Sequence, residues 1–367
     1  MAIAIYRRYR PKLLREILGQ EAVSEILGSA AKRDRIAHAY LFFGARGTGK
    51  TTVARILAKL ANCETRNSDK KFRAEGEPCN RCRPCTEIDE GRALDVVEID
   101  AASNRGIDEI RELKESVKLS PSSYRFKVFI IDEAHQLTKE AWNALLKTLE
   151  EPPPHAIFIL ATSEYEKVPP TIISRTQRFH FRRLPLPIIS KKLTSIVAAD
   201  TLNVDPDAIE LIAAAGDGSL RDAESLLEQL TSLEETVTLD SVERIIGRIG
   251  IRKTAELAEH ILKGNLPEAL TFIAKVHAGG WNVVDLTKEL IHYLRRAATL
   301  KFDPEIKSLF AEELTPHEMK LLEAHAALVT SEHLVLMKAI ISAYSEMRYS
   351  PFATVPLEVA LITSLKK

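Results

Sequence analysis

The apolar run at residues 40–43 leads directly into Gly44-Ala45-Arg46-Gly47-Thr48-Gly49-Lys50-Thr51, and an amphipathic stretch follows at once. No other feature restricts the fold as strongly. Strand, glycine-rich loop and helix act as one unit: the glycines let the backbone curl, so that its amides and the helix N-terminus face an anion. Gly44, Ala45, Arg46, Gly47, Thr48, Gly49, Lys50, Thr51 and Thr52 are the candidate phosphate-cradling residues. Lys50 would reach the β and γ phosphates of ATP, and the Thr51 hydroxyl would ligate Mg²⁺. Beyond Gly49, Val53, Ile56, Leu57 and Leu60 recur at helical spacing, and Arg55 and Lys59 are expected outside that stripe.

Further strands are expected at 94–99, 128–131, 157–161 and 178–181, alternating with amphipathic helices. Several are continuous apolar runs, as parallel strands covered on both faces require. The fold class is therefore α/β, an open parallel sheet. The run at 128–131 ends in Asp132 and Glu133. A carboxylate pair at the end of a buried strand suits two tasks: Asp132 holding Mg²⁺ through water, and Glu133 polarising an attacking water. His135 reads as local structure rather than as a catalytic base.

The strand pattern stops at Arg182-Arg183-Leu184-Pro185-Leu186-Pro187, and only helices are expected beyond it. Asp205-Pro206 offers an N-cap and a proline at the first helical position. Gly216 and Gly218 break that helix before another begins at Leu220, and a weaker boundary falls at 247–250. Later breaks are expected near Gly264-Asn265, Gly279-Gly280 and Tyr349-Ser350-Pro351. The expected domains are thus 1–183, 184–247 and 248–367.

Four cysteines lie inside the nucleotide-binding half: Cys63, Cys79, Cys82 and Cys85. Two overlapping C-x-x-C spacings with a fourth thiolate upstream form a closed S₄ set suited to structural Zn²⁺. A redox pair would need only two of them. Fifteen residues separate Cys63 from Cys79, and the charged stretch at 67–77 within them predicts an extended surface loop.

Fifty-one basic residues balance fifty-one acidic ones, so any nucleic-acid contact must come from a local patch or from assembly. No apolar run approaches the roughly 18 residues that span a bilayer. Arg7, Arg8 and Arg10 follow Ile3 and Ile5 too closely for a secretory leader, and a cytoplasmic protein without membrane contact is expected.

Taken together, these residues resemble those of the AAA+ ATPases, and more closely the clamp-loader family of bacterial DNA polymerase III gamma and tau subunits. The resemblance covers nearly the whole chain. It is carried by Tyr9-Arg10-Pro11, Gly19-Gln20, His38-Ala39-Tyr40-Leu41-Phe42, the phosphate loop, Glu98-Ile99-Asp100-Ala101-Ala102-Ser103 and Asn143-Ala144-Leu145-Leu146-Lys147-Thr148-Leu149-Glu150-Glu151-Pro152-Pro153. It implies an AAA+ P-loop domain with an inserted zinc module at about 63–85, a small helical lid and an all-α oligomerisation collar. It also implies that the chain is the ATP-hydrolysing motor that opens a sliding clamp and loads it onto primed DNA. The bacterial replisome on the nucleoid would be its setting, and no polymerase site is expected in the chain.

Further roles follow from the resemblance alone. Thr162 matches sensor 1, Arg175 in Ser174-Arg175-Thr176 matches an arginine finger acting in trans, and Arg221 matches sensor 2, acting in cis. Thr176 stands where the family usually has Cys, and Leu14 where it commonly has Phe. Tyr9, Arg10 and Pro11, with residues 17–19, would hold the adenine. Arg105, in a loop entering a helix, is a candidate for sequence-independent DNA phosphate contact. The alternative is an ordinary helix start with Asp108 and Glu109 in its first turn. The implied partners are further copies, delta-type and delta-prime-type subunits, the sliding clamp and primed DNA. A longer form with a polymerase- and helicase-binding tail is left open. Two rival readings are a non-hydrolysing structural subunit of the same assembly and an AAA+ branch-migration or initiation motor. Intact Lys50, Thr51, Asp132 and Glu133 speak against the first, and the cysteine module against the second.

Overall fold

The five expected strands form in the computed structural model, which describes residues 4–103, 107–246, 251–310, 313–314 and 316–365. They are β1 (Ala39–Gly44), β2 (Val96–Asp100), β3 (Lys127–Asp132), β4 (Ala156–Thr162) and β5 (Gln177–Phe181). The sheet order is β2-β3-β4-β1-β5, and every pairing is parallel. A parallel sheet brings the C-terminal ends of its strands to one edge. Phe43 is in register with Thr162, and Asp100 with Asp132, so the loop after β1 and the ends of β3 and β4 open side by side. The expected strand at 94–99 starts later, at Val96, because Leu94 is 79% exposed and belongs to the preceding turn.

Alternate residues of the buried strands feed two cores, one on each face. On one face Tyr40, Phe42, Val128 and Ile130 pack with Val53, Ile56, Leu57 and Leu60 of the helix Lys50–Asn62. On the other, Leu41, Phe129, Ile131 and Phe158 pack with Trp142, Leu145 and Leu149 of the helix Lys139–Glu150.

Two sequence expectations are corrected in this half. Lys59 does not lie outside the apolar stripe: its side chain is 1% exposed, and its ammonium donates to Asn80 Oδ1 at 2.7 Å and Asp89 Oδ1 at 2.8 Å. A buried ammonium is tolerable only with such partners. Nor is 67–77 an extended surface loop. The chain there forms the short helices Glu64–Ser68 and Lys70–Arg73, with Arg66 at 0% and Glu77 at 8% exposure. Arg66 donates to the backbone carbonyls of Leu60 and Ala31 and pairs with Asp34 at 3.1 Å. These bonds fold the connection back onto the helix Glu21–Lys32.

The chain separates into two units, residues 1–184 with 217–225, and residues 185–216 with 226–367. Among the described residues the regular elements of the second unit are helices, from Leu186–Ala199 and Pro206–Ala215 to Ser331–Met347 and Val355–Leu365, with an isolated parallel bridge between Val204 and Val237. Asp205 and Pro206 start their helix as expected, though the Asp205 side chain makes no capping hydrogen bond. Leu257, Ile261, Leu286, Leu290, Leu322 and Ile340 centre its largest core. Two further helix breaks, at Asp303 and Thr330, lack the glycine signal; Asp303 instead accepts the Glu305 N–H through its side chain. The expected boundary at 247–250 lies outside the described residues. Among those described, no single helix is long and apolar enough to cross a membrane.

Candidate nucleotide site and cysteine cluster

The loop after β1 closes on itself through its own side chains. Thr48 Oγ1 donates to the Ala45 carbonyl at 2.8 Å, and Lys50 Nζ donates to the carbonyls of Gly44 and Ala45 at 2.8 and 2.7 Å. Burial lowers the pKa of Lys50, opposed by the carboxylates of Glu133 and Asp132. Thr51 and Thr52 follow in the first turn of the helix Lys50–Asn62. Thr51 Oγ1 donates to Asp132 Oδ2 at 2.7 Å, so the hydroxyl and carboxylate read as Mg²⁺ ligands stand together.

Glu133 turns the chain sharply, with φ at +45°. Its carboxylate accepts from Arg46 Nε at 3.1 Å through one oxygen. The other accepts from the Ser163 amide at 3.1 Å and the Ser163 hydroxyl at 2.8 Å. Burial alone would raise its pKa; the Ser163 bonds and the charges of Lys50 and Arg46 outweigh that and lower it. Partners on both oxygens thus hold the carboxylate in one orientation and favour its charged form. Thr162 ends β4, fully buried, and its hydroxyl accepts the Glu164 N–H at 3.0 Å.

Arg221 reaches the same edge from 171 positions beyond Lys50, counted in sequence as 221 − 50. Its guanidinium lies 4.9 Å from the Tyr6 ring centroid. Gly47, at φ +69°, explains the approach: a Cβ there would stand 1.8 Å from Ser219 Oγ, so only glycine lets Ser219 and the following helix turn reach the loop. Tyr9 and Arg10 are half-buried; burial, then the charge of Arg55, lowers the pKa of Arg10. Pro11 follows, and Ile17 is buried in the core under this segment. Leu14 fills the same core.

Arg175 is not brought to these groups. It follows the short helix Pro170–Ile173 and borders a separate cavity of about 510 Å³ lined also by His38, Glu150 and Gln177. Thr176 turns its hydroxyl back to the Ile172 carbonyl at 3.1 Å and makes no use of a thiol's chemistry. Arg105 lies outside the described residues.

The four cysteine sulfurs lie within 4.8 Å of one another. Cys63 Sγ and Cys82 Sγ are 3.9 Å apart. Four thiolates around Zn²⁺ at about 2.3 Å stand roughly 3.8 Å from each other by tetrahedral geometry, so the cluster fits that ion and is too open for disulfides. A hydrogen bond from the Cys85 thiol lowers the pKa of Cys63 and favours its thiolate. Backbone amides donate to the same sulfurs: Arg66 and Cys79 to Cys63 at 3.5 and 3.4 Å, and Cys82 to Cys79 at 3.2 Å.

Comparison with known proteins is consistent along the chain. The profile described as DNA polymerase III, delta subunit, matches residues 19–185. The clamp loader subunit ATPase lid domain matches 188–232, and domain III of DNA polymerase III subunits gamma and tau matches 237–366. The DNA polymerase III gamma subunit of Buchnera aphidicola subsp. Acyrthosiphon pisum is 32% identical, over 97% of this chain and 96% of that protein. The chain belongs to the DNA polymerase III gamma and tau family. The tau subunit of Bacillus subtilis is 38% identical over 98% of the chain, which spans 62% of that protein's length. Among solved structures, the Bacillus subtilis DNA clamp loader delta protein aligns with a TM-score of 0.41 at 15% identity, covering 94% of this chain and 99% of that one.

Within this gamma and tau family member, several groups at the site escaped sequence reasoning. Arg46 was read only as a loop residue, yet it is the ion-pair partner of Glu133. Ser163 carried no motif at all. His135 is buried between Thr162 Oγ1, 3.0 Å from its Nδ1, and Glu164 Oε1, 3.1 Å from its Nε2. It thereby links the ends of β3 and β4, and its Nδ1 also lies 3.3 Å from Glu133 Oε2. The only sequence signal for Ser163 was its position directly after β4, on the edge where the loop and the acid pair open.

Proposed function

We propose that this chain is an ATP-hydrolysing motor subunit of a DNA polymerase III clamp loader. The observation that carries the reading is the hydrogen-bonded group on one sheet edge: Thr51 with Asp132, and Glu133 held by Arg46 and Ser163. Gly44 to Thr52 would cradle the triphosphate, with Lys50 at its β and γ groups. Thr51 and Asp132 would hold Mg²⁺, which when bound would neutralise phosphate charge. Glu133 would take the proton of the attacking water, Thr162 would respond to the γ-phosphate through its hydroxyl, and Arg221 would close on the phosphates in cis. Tyr9, Arg10 and Pro11 would border the base. Cys63, Cys79, Cys82 and Cys85 would hold a structural Zn²⁺ with no open coordination position.

Arg175 would act in the site of a neighbouring subunit, which ties hydrolysis to assembly and leaves the single chain a weak ATPase. The domain division would be 1–183, 184–247 and 248–367: ATP-binding, lid and collar. The partners would be further copies, delta-type and delta-prime-type subunits, the sliding clamp and primed DNA, met in the bacterial cytoplasm. DNA would be held through phosphates without regard to sequence, and so with strong salt dependence.

The test is ATP turnover by the purified chain, alone and then with delta-type subunits, sliding clamp and primed DNA. Strong stimulation by the full set supports the motor. Equal turnover in both conditions points to a self-sufficient ATPase, and no turnover in either to a structural subunit.

A further inference from the structure

We propose that the cysteine module is a clamp on the base-side wall of the nucleotide site, with Glu77 and Asn80 as its positioning residues; this deepens the nucleotide reading and rests on it. That wall is the segment 9–19, and its middle is held from the module through backbone groups. One oxygen of the buried Glu77 carboxylate accepts the Leu14 N–H at 2.8 Å, and the other accepts the Arg15 N–H at 3.0 Å. Asn80, between Cys79 and Cys82 in sequence, donates through Nδ2 to the Lys12 carbonyl at 3.3 Å. Lys59 Nζ donates to that same carbonyl at 3.0 Å and to Asn80 Oδ1 at 2.7 Å.

The bonds to Lys12, Leu14 and Arg15 run to main-chain atoms, so they fix the path of residues 12–15 whatever their side chains are. Two successive amides facing one carboxylate also leave little choice of position, since a buried N–H without its acceptor is costly. The module is anchored behind the clamp as well. Gly76, at φ +76°, lies so close to the helix Glu21–Lys32 that a Cβ would stand 2.8 Å from the Gly28 carbonyl oxygen. At the other end of the insertion Arg66 ties it to Ala31 and Asp34. Glu77 lies two residues before Cys79 and Asn80 one residue after it. The scaffold that sets the four sulfurs therefore also sets the wall on which Tyr9, Arg10 and Pro11 are carried. The phosphate loop shares none of these bonds. The clamp should act on the base end of a nucleotide and leave the phosphate end alone.

The experiment uses the full chain and two probes, ATP and inorganic tripolyphosphate, with affinities measured by titration calorimetry beside zinc content and thermal melting. Glu77→Gln keeps the size of the side chain but offers the two amides one acceptor instead of two. Its ATP affinity is expected to fall roughly tenfold, the worth of one charge-assisted hydrogen bond, with tripolyphosphate affinity unchanged and zinc retained. Asn80→Asp, which removes the donor to Lys12 but keeps an acceptor for the buried Lys59 ammonium and tolerates the left-handed backbone (φ +55°), should fall in the same selective way and serves if Glu77→Gln does not fold. Wild-type affinity for ATP in a folded, zinc-loaded variant overturns the proposal. So does an equal fall for both probes, which marks general destabilisation. A wild-type chain that binds neither probe removes the nucleotide reading itself, and the clamp with it.

Discussion

The Arg175 guanidinium lies 2.6 Å from Glu150 Oε1, joining the second residue after the short helix Pro170–Ile173 to the last turn of the helix Lys139–Glu150. Arg175 also donates to the Thr171 carbonyl at 2.8 Å and to Ser174 Oγ at 3.1 Å, so three acceptors hold it in place within its own chain. In the proposed assembly, Arg175→Ala should leave ATP binding intact and lower partner-stimulated turnover about 10³-fold or more, the usual worth of an arginine finger. Steady-state turnover of the reconstituted set, beside nucleotide titration, checks both halves. Turnover that survives the substitution would remove Arg175 from the reaction.

Glu133→Gln separates binding from chemistry. The amide keeps the shape of the side chain but cannot take a proton, so turnover should fall roughly 10²–10⁴-fold with ATP affinity retained. Single-turnover kinetics on ATP-loaded protein would read this directly, and an unchanged rate would assign the base elsewhere.

Ser163→Ala tests the electrostatics of that carboxylate through pH. The Ser163 bonds favour the charged form of Glu133 and help bring its pKa below the ordinary glutamate value. Without the hydroxyl the pKa should rise, so turnover should be lost at a higher pH as the solution is acidified. The same sign governs stability: a depressed carboxylate contributes above its unfolded pKa, and the contribution fades as pH falls through the folded value. A pH–rate profile with an unmoved acid limb would contradict the assignment.

Cys85→Ser should abolish stoichiometric zinc binding, because a closed four-sulfur site does not tolerate an alcohol in place of a buried thiolate. A loss of about 3 kcal/mol would lower the melting temperature by roughly 6–12 °C for a unit of this size. Elemental analysis and calorimetry measure the two effects together. Full zinc content in the variant would refute the four-cysteine site.

Much of this arrangement could be read from the chain. The loop was legible because glycine spacing and a following helix leave one backbone path, and β3 because an unbroken apolar run ends in two acids. The cysteines were legible because metal geometry dictates spacing. Lys59 was misread for a clear reason: helical periodicity counts lysine as polar, and its partners Asn80 and Asp89 arrive from an insertion whose fold no periodicity describes. Arg66 and Glu77 were hidden in the same way, since a charged run reads as solvated until its distant acceptors and donors are known. Ser163 matters only through Glu133, thirty positions away, counted as 163 − 133.

The two outer strands of the sheet carry a consequence for how this protein meets its neighbours. Along β2 stand Glu98 and Asp100, and along β5 Arg178. Charged side chains on an edge discourage the addition of another strand. The sheet is therefore guarded at both edges against a sixth strand, and in the proposed assembly contact between subunits would fall to helices and single projecting groups, which can part and rejoin without unzipping a backbone ladder.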